Sequence, residues 1–101
     1  MVLGHNSCGA IKSAVDDVKL GKITALLKNF KPALATLKKA DGHRDSHNDA
    51  LVQKVAEANA RLTAASLPRR SPVIKALVDA GQLKIAAAMH DITTGQVTWL
   101  A

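Results

Sequence analysis

The sequence predicts an α/β fold in which a parallel β-sheet core is flanked by helices and ends in a C-terminal hairpin. Three observations predict it: an apolar stub at the N-terminus, a series of segments with helical apolar spacing, and two β-type runs near the C-terminus. Helices that connect two strands imply that the strands are parallel. Because 101 residues can form one small core, we expect a single domain over residues 1–101.

The composition excludes several classes of protein. Hydrophobic residues make up 48% of the chain, which is typical of a globular, helix-rich protein. The net charge of +6 favours acidic partners, but the basic residues are spread out and the chain has one Trp and one Phe, so we expect no nucleic acid partner. A single cysteine excludes an internal disulfide. Neither a membrane-length apolar run nor a secretory signal is visible, and the expected location is the cytoplasm.

The first elements surround a turn near the N-terminus. Val2 and Leu3 indicate the end of a buried strand, most of which would precede Met1. The helix after the turn is expected to end at Gly21, because glycine readily adopts the left-handed conformation that ends helices. Its apolar face contains Ile11, Ala14, Val15 and Val18.

Two longer apolar stripes follow. The first covers residues 23–39 and contains Pro32, which predicts a kink or break at the residue before it. A polar linker over residues 40–45 comes next. Ser46 and Asp49 then resemble a capping box, which predicts the start of a second helix. The apolar face of that helix contains Leu51, Val55, Ala58, Leu62 and Ala65.

The second helix is expected to end at Leu67, before Pro68. A third begins with Ser71 as its N-cap and Pro72 as its first residue, and Gly81 ends it. This capping role accounts for Ser71 without a nucleophile function. The buried side of the third helix is expected to contain Val73, Ile74, Leu77 and Val78.

The chain ends in two β-type runs. Residues 83–89 form the first, and residues 96–100 form the second, which is rich in β-branched and aromatic side chains. Thr94 and Gly95 are a turn signal between them, so we expect a hairpin joined by residues 91–95.

His5 and Cys8 are the candidate metal ligands. Zinc favours imidazole nitrogen and thiolate sulfur, and their short spacing lets both bind one ion with little loop-closure cost. Cys8 also lies just before a helix, where free backbone donors favour a thiolate. The alternative is that Cys8 is a small buried hydrophobic residue. Two ligands alone do not make a tight zinc site, because zinc takes three or four.

Two other groups allow both a functional and a structural interpretation. His43 and His47, with Asp45 between them, could form a surface metal site or be solvated residues at a helix start. His90 and Asp91 could form a pH-sensitive or catalytic pair. The adjacent turn favours a simpler role, in which Asp91 accepts hydrogen bonds from backbone N–H groups.

Five parts of the chain match one family in order and spacing. They are Val2–Ala10, like a second zinc-ligand motif; Leu26–Leu34, like a kinked helix with Pro-Ala-Leu; Glu57–Arg61, like an Asn-containing helix; Ser71–Ile74 with Gly81–Leu83, like a last helix and the start of a strand; and His90–Val97, like a Thr-Gly hairpin. Together they resemble the β-class carbonic anhydrases, and they cover the C-terminal half of a usual member.

The resemblance implies a partial three-layer α/β fold, Zn²⁺ as cofactor, and reversible hydration of CO2 to bicarbonate. It implies three protein ligands: His5, Cys8 and a cysteine from an earlier Cys-x-Asp-Ser-Arg motif, whose Asp-Arg pair flanks the fourth zinc position. That motif does not occur in this sequence, so no catalytic residue is expected here. We therefore expect this chain alone to bind zinc weakly and to hydrate CO2 little above background. The family also implies a homo-oligomer, either a dimer or a dimer of dimers.

Two alternatives remain at this point. The chain could be a non-catalytic member of the same fold that acts as an interaction or assembly subunit. Less favoured is a basic, helical nucleic-acid-binding protein, which would require binding that depends strongly on salt.

Overall fold

The computed structural model describes residues 1–19, 21–38, 42 and 44–100. Three strands form one sheet in the order β1-β2-β3: β1 is Val2–His5, β2 is Ala87–His90 and β3 is Val97–Trp99. β1 pairs with β2 in parallel, and β2 pairs with β3 antiparallel. The predicted α/β class, parallel pair and C-terminal hairpin are therefore confirmed.

Five α-helices and one 3₁₀ helix are found among the described residues. They are α1 (Gly9–Val15), α2 (Ile23–Leu27), the 3₁₀ helix (Lys28–Phe30), α3 (Lys31–Leu34), α4 (Asp49–Arg70) and α5 (Pro72–Asp79). Helix α4 packs across β1 and β2, and α1, α3 and α5 pack against α4. The long helix α4 is thus the element that joins the sheet to the other helices.

The core lies between α4, the sheet and the N-terminal helices. Its buried members are Ile11, Val15, Ala33, Leu51, Val52, Val55, Ala56 and Met89. Gly4 of β1 makes the close approach of α4 possible. A Cβ atom at Gly4 would lie 2.7 Å from Met89 Sδ and 3.6 Å from Ala60 Cβ. No side chain larger than hydrogen fits there without movement of its neighbours.

The N-terminal elements differ from the predictions in their limits. β1 extends through His5, so His5 ends a strand and does not lie within the turn. Helix α1 ends at Val15, well before Gly21, because Asp17 already adopts a left-handed φ of 56°. The predicted break before Pro32 is confirmed, since the 3₁₀ helix separates α2 from α3 there.

Helix α4 corrects two predictions. Its N-cap is Asn48, whose side chain accepts a hydrogen bond from the Leu51 N–H; Ser46 is not the cap. The helix also continues through Pro68 to Arg70. A proline so near the end removes only one hydrogen bond, so the last turn can still form. Burial along α4 ends at Ala60, and the predicted apolar positions Leu62 and Ala65 are exposed.

Helix α5 begins as predicted but is less buried than predicted. Ser71 Oγ accepts a hydrogen bond from the Ile74 N–H, and Pro72 is the first helical residue. Gly81 follows with φ of 72°, the left-handed conformation predicted for the end of the helix. None of the four apolar residues expected on the buried side is buried. Val73 is 70% exposed, so the apolar side of α5 is open.

The C-terminal strands are shorter than predicted. β2 begins at Ala87, and residues 83–86 are outside any strand. Residues 40, 41 and 43 of the predicted polar linker lie outside the described residues. No described helix combines the length and apolar character that crossing a membrane requires.

Candidate metal site

His5 ends β1 with its imidazole exposed to solvent. Its Nδ1 lies 2.7 Å from the carbonyl oxygen of Asn6. A carbonyl can only accept, so Nδ1 must carry the proton in this contact. In a neutral imidazole this leaves the lone pair on Nε2, the other ring nitrogen. The ring is thereby held in the tautomer that can bind a metal through Nε2.

Cys8 occupies the N-cap position of α1. Its backbone is extended, its side chain caps no N–H group, and its thiol forms no disulfide. The residue is half-buried and packs against the core. Both interpretations of Cys8 therefore stay open. Its packing against the core suits a small hydrophobic residue, and its thiol, which forms no disulfide and caps no N–H group, suits a metal ligand.

The turn between these two residues is strained. Ser7 has φ of 51°, in the left-handed region that costs a non-glycine residue about 1 kcal/mol. Such conformations persist where their surroundings hold them. Its neighbour Asn6 is fixed by hydrogen bonds on the N-terminal side of Ser7.

Asn6 ties the turn to the hairpin between β2 and β3. Its Nδ2 donates to Asp91 Oδ1 at 3.1 Å, and its Oδ1 accepts from the Ile92 N–H at 2.9 Å. Its backbone N–H also donates to the His90 carbonyl oxygen at 3.2 Å. Sequence reasoning missed this role, because an Asn in a turn signals only local structure and its partners lie 85 and 86 residues away.

Asp91 has the structural role that the turn favoured. Its Oδ1 accepts from the N–H groups of Thr93 and Thr94, at 2.9 and 3.4 Å, as well as from Asn6. The Thr93 N–H is the largest reason why the pKa of the Asp91 carboxyl lies below its usual range; partial burial opposes the shift, and the Thr94 and Asn6 donors add to it.

Within the described part of the chain, no three His, Cys, Asp or Glu side chains come together as a metal site. His5 and Cys8 therefore amount to two donors, where zinc takes three or four protein ligands. The donor types suit zinc, but their number does not complete a site. The alternative pair at His43 and His47 stays open, since His43 lies outside the described residues; His47 is exposed, and its N–H donates to Asp45 Oδ1 at 2.8 Å.

Comparisons with known proteins agree on one family. The family model described as carbonic anhydrase matches residues 1–97. Among solved structures, the chain is similar to a cysteine-to-alanine mutant of the β-carbonic anhydrase CafD of the filamentous fungus Aspergillus fumigatus, with a TM-score of 0.62 and 19% identity. At that identity the likeness concerns the fold. The match covers 98% of this chain and 54% of that one, so the chain spans about half the length of CafD. The search among curated proteins found no match.

Proposed function

Because the chain belongs to the carbonic anhydrase family, in its β-class, we propose that it supplies part of the zinc site of an enzyme that hydrates CO2 reversibly to bicarbonate. The observation that carries the proposal is the turn after β1, where His5 and Cys8 flank Asn6 at the end of a parallel strand. Two properties support it: the His5 tautomer leaves a lone pair on Nε2, and the Cys8 thiol is not in a disulfide.

The residues of the turn would hold and orient the ion. His5 would bind through Nε2 and Cys8 through its thiolate. A zinc ion held there would lower the pKa of its bound water to about 7 and so would supply a hydroxide nucleophile at neutral pH. The resemblance assigns a third ligand and an orienting Asp-Arg pair to a Cys-x-Asp-Ser-Arg motif, which these 101 residues do not contain. No catalytic step is therefore assigned to the described residues.

We expect the 101-residue chain by itself to bind zinc weakly and to hydrate CO2 little above background. Competition with a chromophoric chelator measures the zinc affinity, and stopped-flow with a pH indicator measures hydration. His5→Ala and Cys8→Ala should each abolish the weak zinc binding. The control is Asp79→Ala, which removes an exposed side chain at the end of α5 and should leave the zinc affinity unchanged.

Two results would contradict this proposal. One is zinc uptake that survives both His5→Ala and Cys8→Ala. The other is tight one-to-one zinc binding with rapid CO2 turnover by this chain alone, since two donors do not provide for it.

A second candidate function is a non-catalytic assembly subunit with the same fold. The exposed apolar side of α5 favours it. Val73 and Leu77 are large apolar side chains that are exposed to solvent, and such surfaces often bind another protein. The same surface supports the homo-oligomer that the family implies. In light scattering after size exclusion, Val73→Asp should shift the chain towards monomer. Lys75→Asp, on the same helix but at an exposed charged position, should not.

A further inference from the structure

Asn6 connects the candidate ligand His5 to a distant turn. On one side, its carbonyl oxygen receives the His5 Nδ1–H at 2.7 Å. On the other side, its amide side chain bonds to Asp91 and Ile92 at the start of the turn between β2 and β3. Asn6 therefore contacts the His5 ring through its backbone carbonyl and the distant turn through its side chain.

Chemistry fixes the direction of the two hydrogen bonds that the Asn6 side chain makes. The Ile92 N–H can only donate, so the atom of Asn6 facing it must be the amide oxygen. The Asp91 carboxylate can only accept, so the atom facing it must be the amide nitrogen. An aspartate at position 6 would keep the first bond and place a second carboxylate against Asp91. Only an amide satisfies both partners.

We propose that Asn6 is a positioning residue for the candidate metal site: it holds the His5 ring in the orientation and tautomer that presents Nε2 to a metal. This inference rests on the proposed function, in which His5 is a zinc ligand. Asn6 acts through His5 and does not itself touch the ion. Removing hydrogen-bond partners that orient metal-bound histidines weakens metal affinity about 10- to 100-fold.

The first test is a tautomer measurement on the metal-free chain. Nitrogen shifts of the His5 imidazole, recorded by NMR at about pH 8.5 where an ordinary imidazole is neutral, report which ring nitrogen carries the proton. The wild-type chain should hold the proton on Nδ1. In Asn6→Ala, the proton should be distributed over both nitrogens because the carbonyl that receives it is no longer held.

The second test is the affinity for Co²⁺, followed by absorption of the cobalt–thiolate bond. Asn6→Ala should weaken it about tenfold. Asn6→Asp should also weaken it, because two carboxylates then face each other. Because Asn6→Asp keeps an acceptor for the Ile92 N–H, it keeps the inference testable if Asn6→Ala does not fold.

Asn48→Ala is the matched control for lost stability. It removes a side-chain hydrogen bond from the N-cap of α4 and leaves the Asn6 bonds to Asp91 and Ile92 in place. It should lower the melting temperature without changing the His5 tautomer or the cobalt affinity.

The inference is overturned if Asn6→Ala has the His5 tautomer and the Co²⁺ affinity of the wild type. It is also overturned if Asn48→Ala changes both as much as Asn6→Ala does. If the wild-type chain takes up no cobalt, the proposed function fails instead, and the tautomer reading still decides whether Asn6 orients His5.

Discussion

The two faces of the sheet differ in what covers them. Side chains alternate along a strand, so Gly4 and Met89 face α4, while Leu3, Ala88 and Trp99 face the other way. Met89 is buried, but Leu3 is 46% and Trp99 65% exposed. The same three strands therefore carry a packed face and an open one. The comparison teaches that α4 buries the large Met89 on its side of the sheet, whereas on the other side the small Ala88, between Leu3 and Trp99, is buried and its two large neighbours stay exposed.

The largest contrast is expected between leucines on the two sides. Leu51→Ala, in α4 against the core, should lower the free energy of unfolding by about 2–5 kcal/mol, because a fully buried side chain leaves a cavity. Leu3→Ala makes the same chemical change on the open face and should cost about 1 kcal/mol or less. Urea unfolding followed by circular dichroism measures both. Equal losses would show that the open face is covered in solution, for example by self-association.

A smaller contrast is expected between two glycines. Gly4→Ala should destabilise the chain by about 1–3 kcal/mol, because the new methyl group would meet Met89 Sδ and crowd the approach of α4. Gly9→Ala is the control: its Cβ atom would meet nothing within 4 Å, and alanine is a better helix former than glycine. Gly9→Ala should therefore be neutral or stabilising. A neutral Gly4→Ala would mean that the packed face is looser than its distances indicate.

The smallest effect is expected from pH at the hairpin that borders both faces. The pKa of Asp91 is lowered in the folded chain, chiefly by the Thr93 N–H, so its contribution to stability is present above the unfolded pKa of about 4 and is lost as pH falls through the folded pKa. The pKa of Asp16 is lowered too, chiefly by its hydrogen bond with Ser46.

Asp91→Ala should therefore flatten the decline of thermal stability below about pH 4 relative to the wild type. Asp16→Ala should flatten it separately, since the two groups lie in different parts of the fold. If both variants lose thermal stability at low pH as steeply as the wild type, the lowered pKa values of Asp91 and Asp16 do not contribute to that loss.

Local signals predicted the features that depend on neighbouring residues. Ser71 and Pro72 predicted the start of α5, Pro32 predicted the break before α3, and residues 83–89 predicted a strand, which is found at Ala87–His90. Each follows from backbone chemistry within a few residues. The predicted end of α4 was wrong, because Pro68 signals a helix end but removes only one hydrogen bond so near the C-terminus of the helix.

The sequence by itself determined the α/β class, the hairpin and the family, since apolar spacing, turn residues and motif order are all written along the chain. It also marked His5 and Cys8 as candidate ligands, which stays a prediction. Only the tertiary structure decided that Asn6 bonds to Asp91 and Ile92, and that α5 and one face of the sheet are open. The physical reason is distance along the chain: hydrogen bonds and burial depend on residues brought together by folding, which no local pattern records.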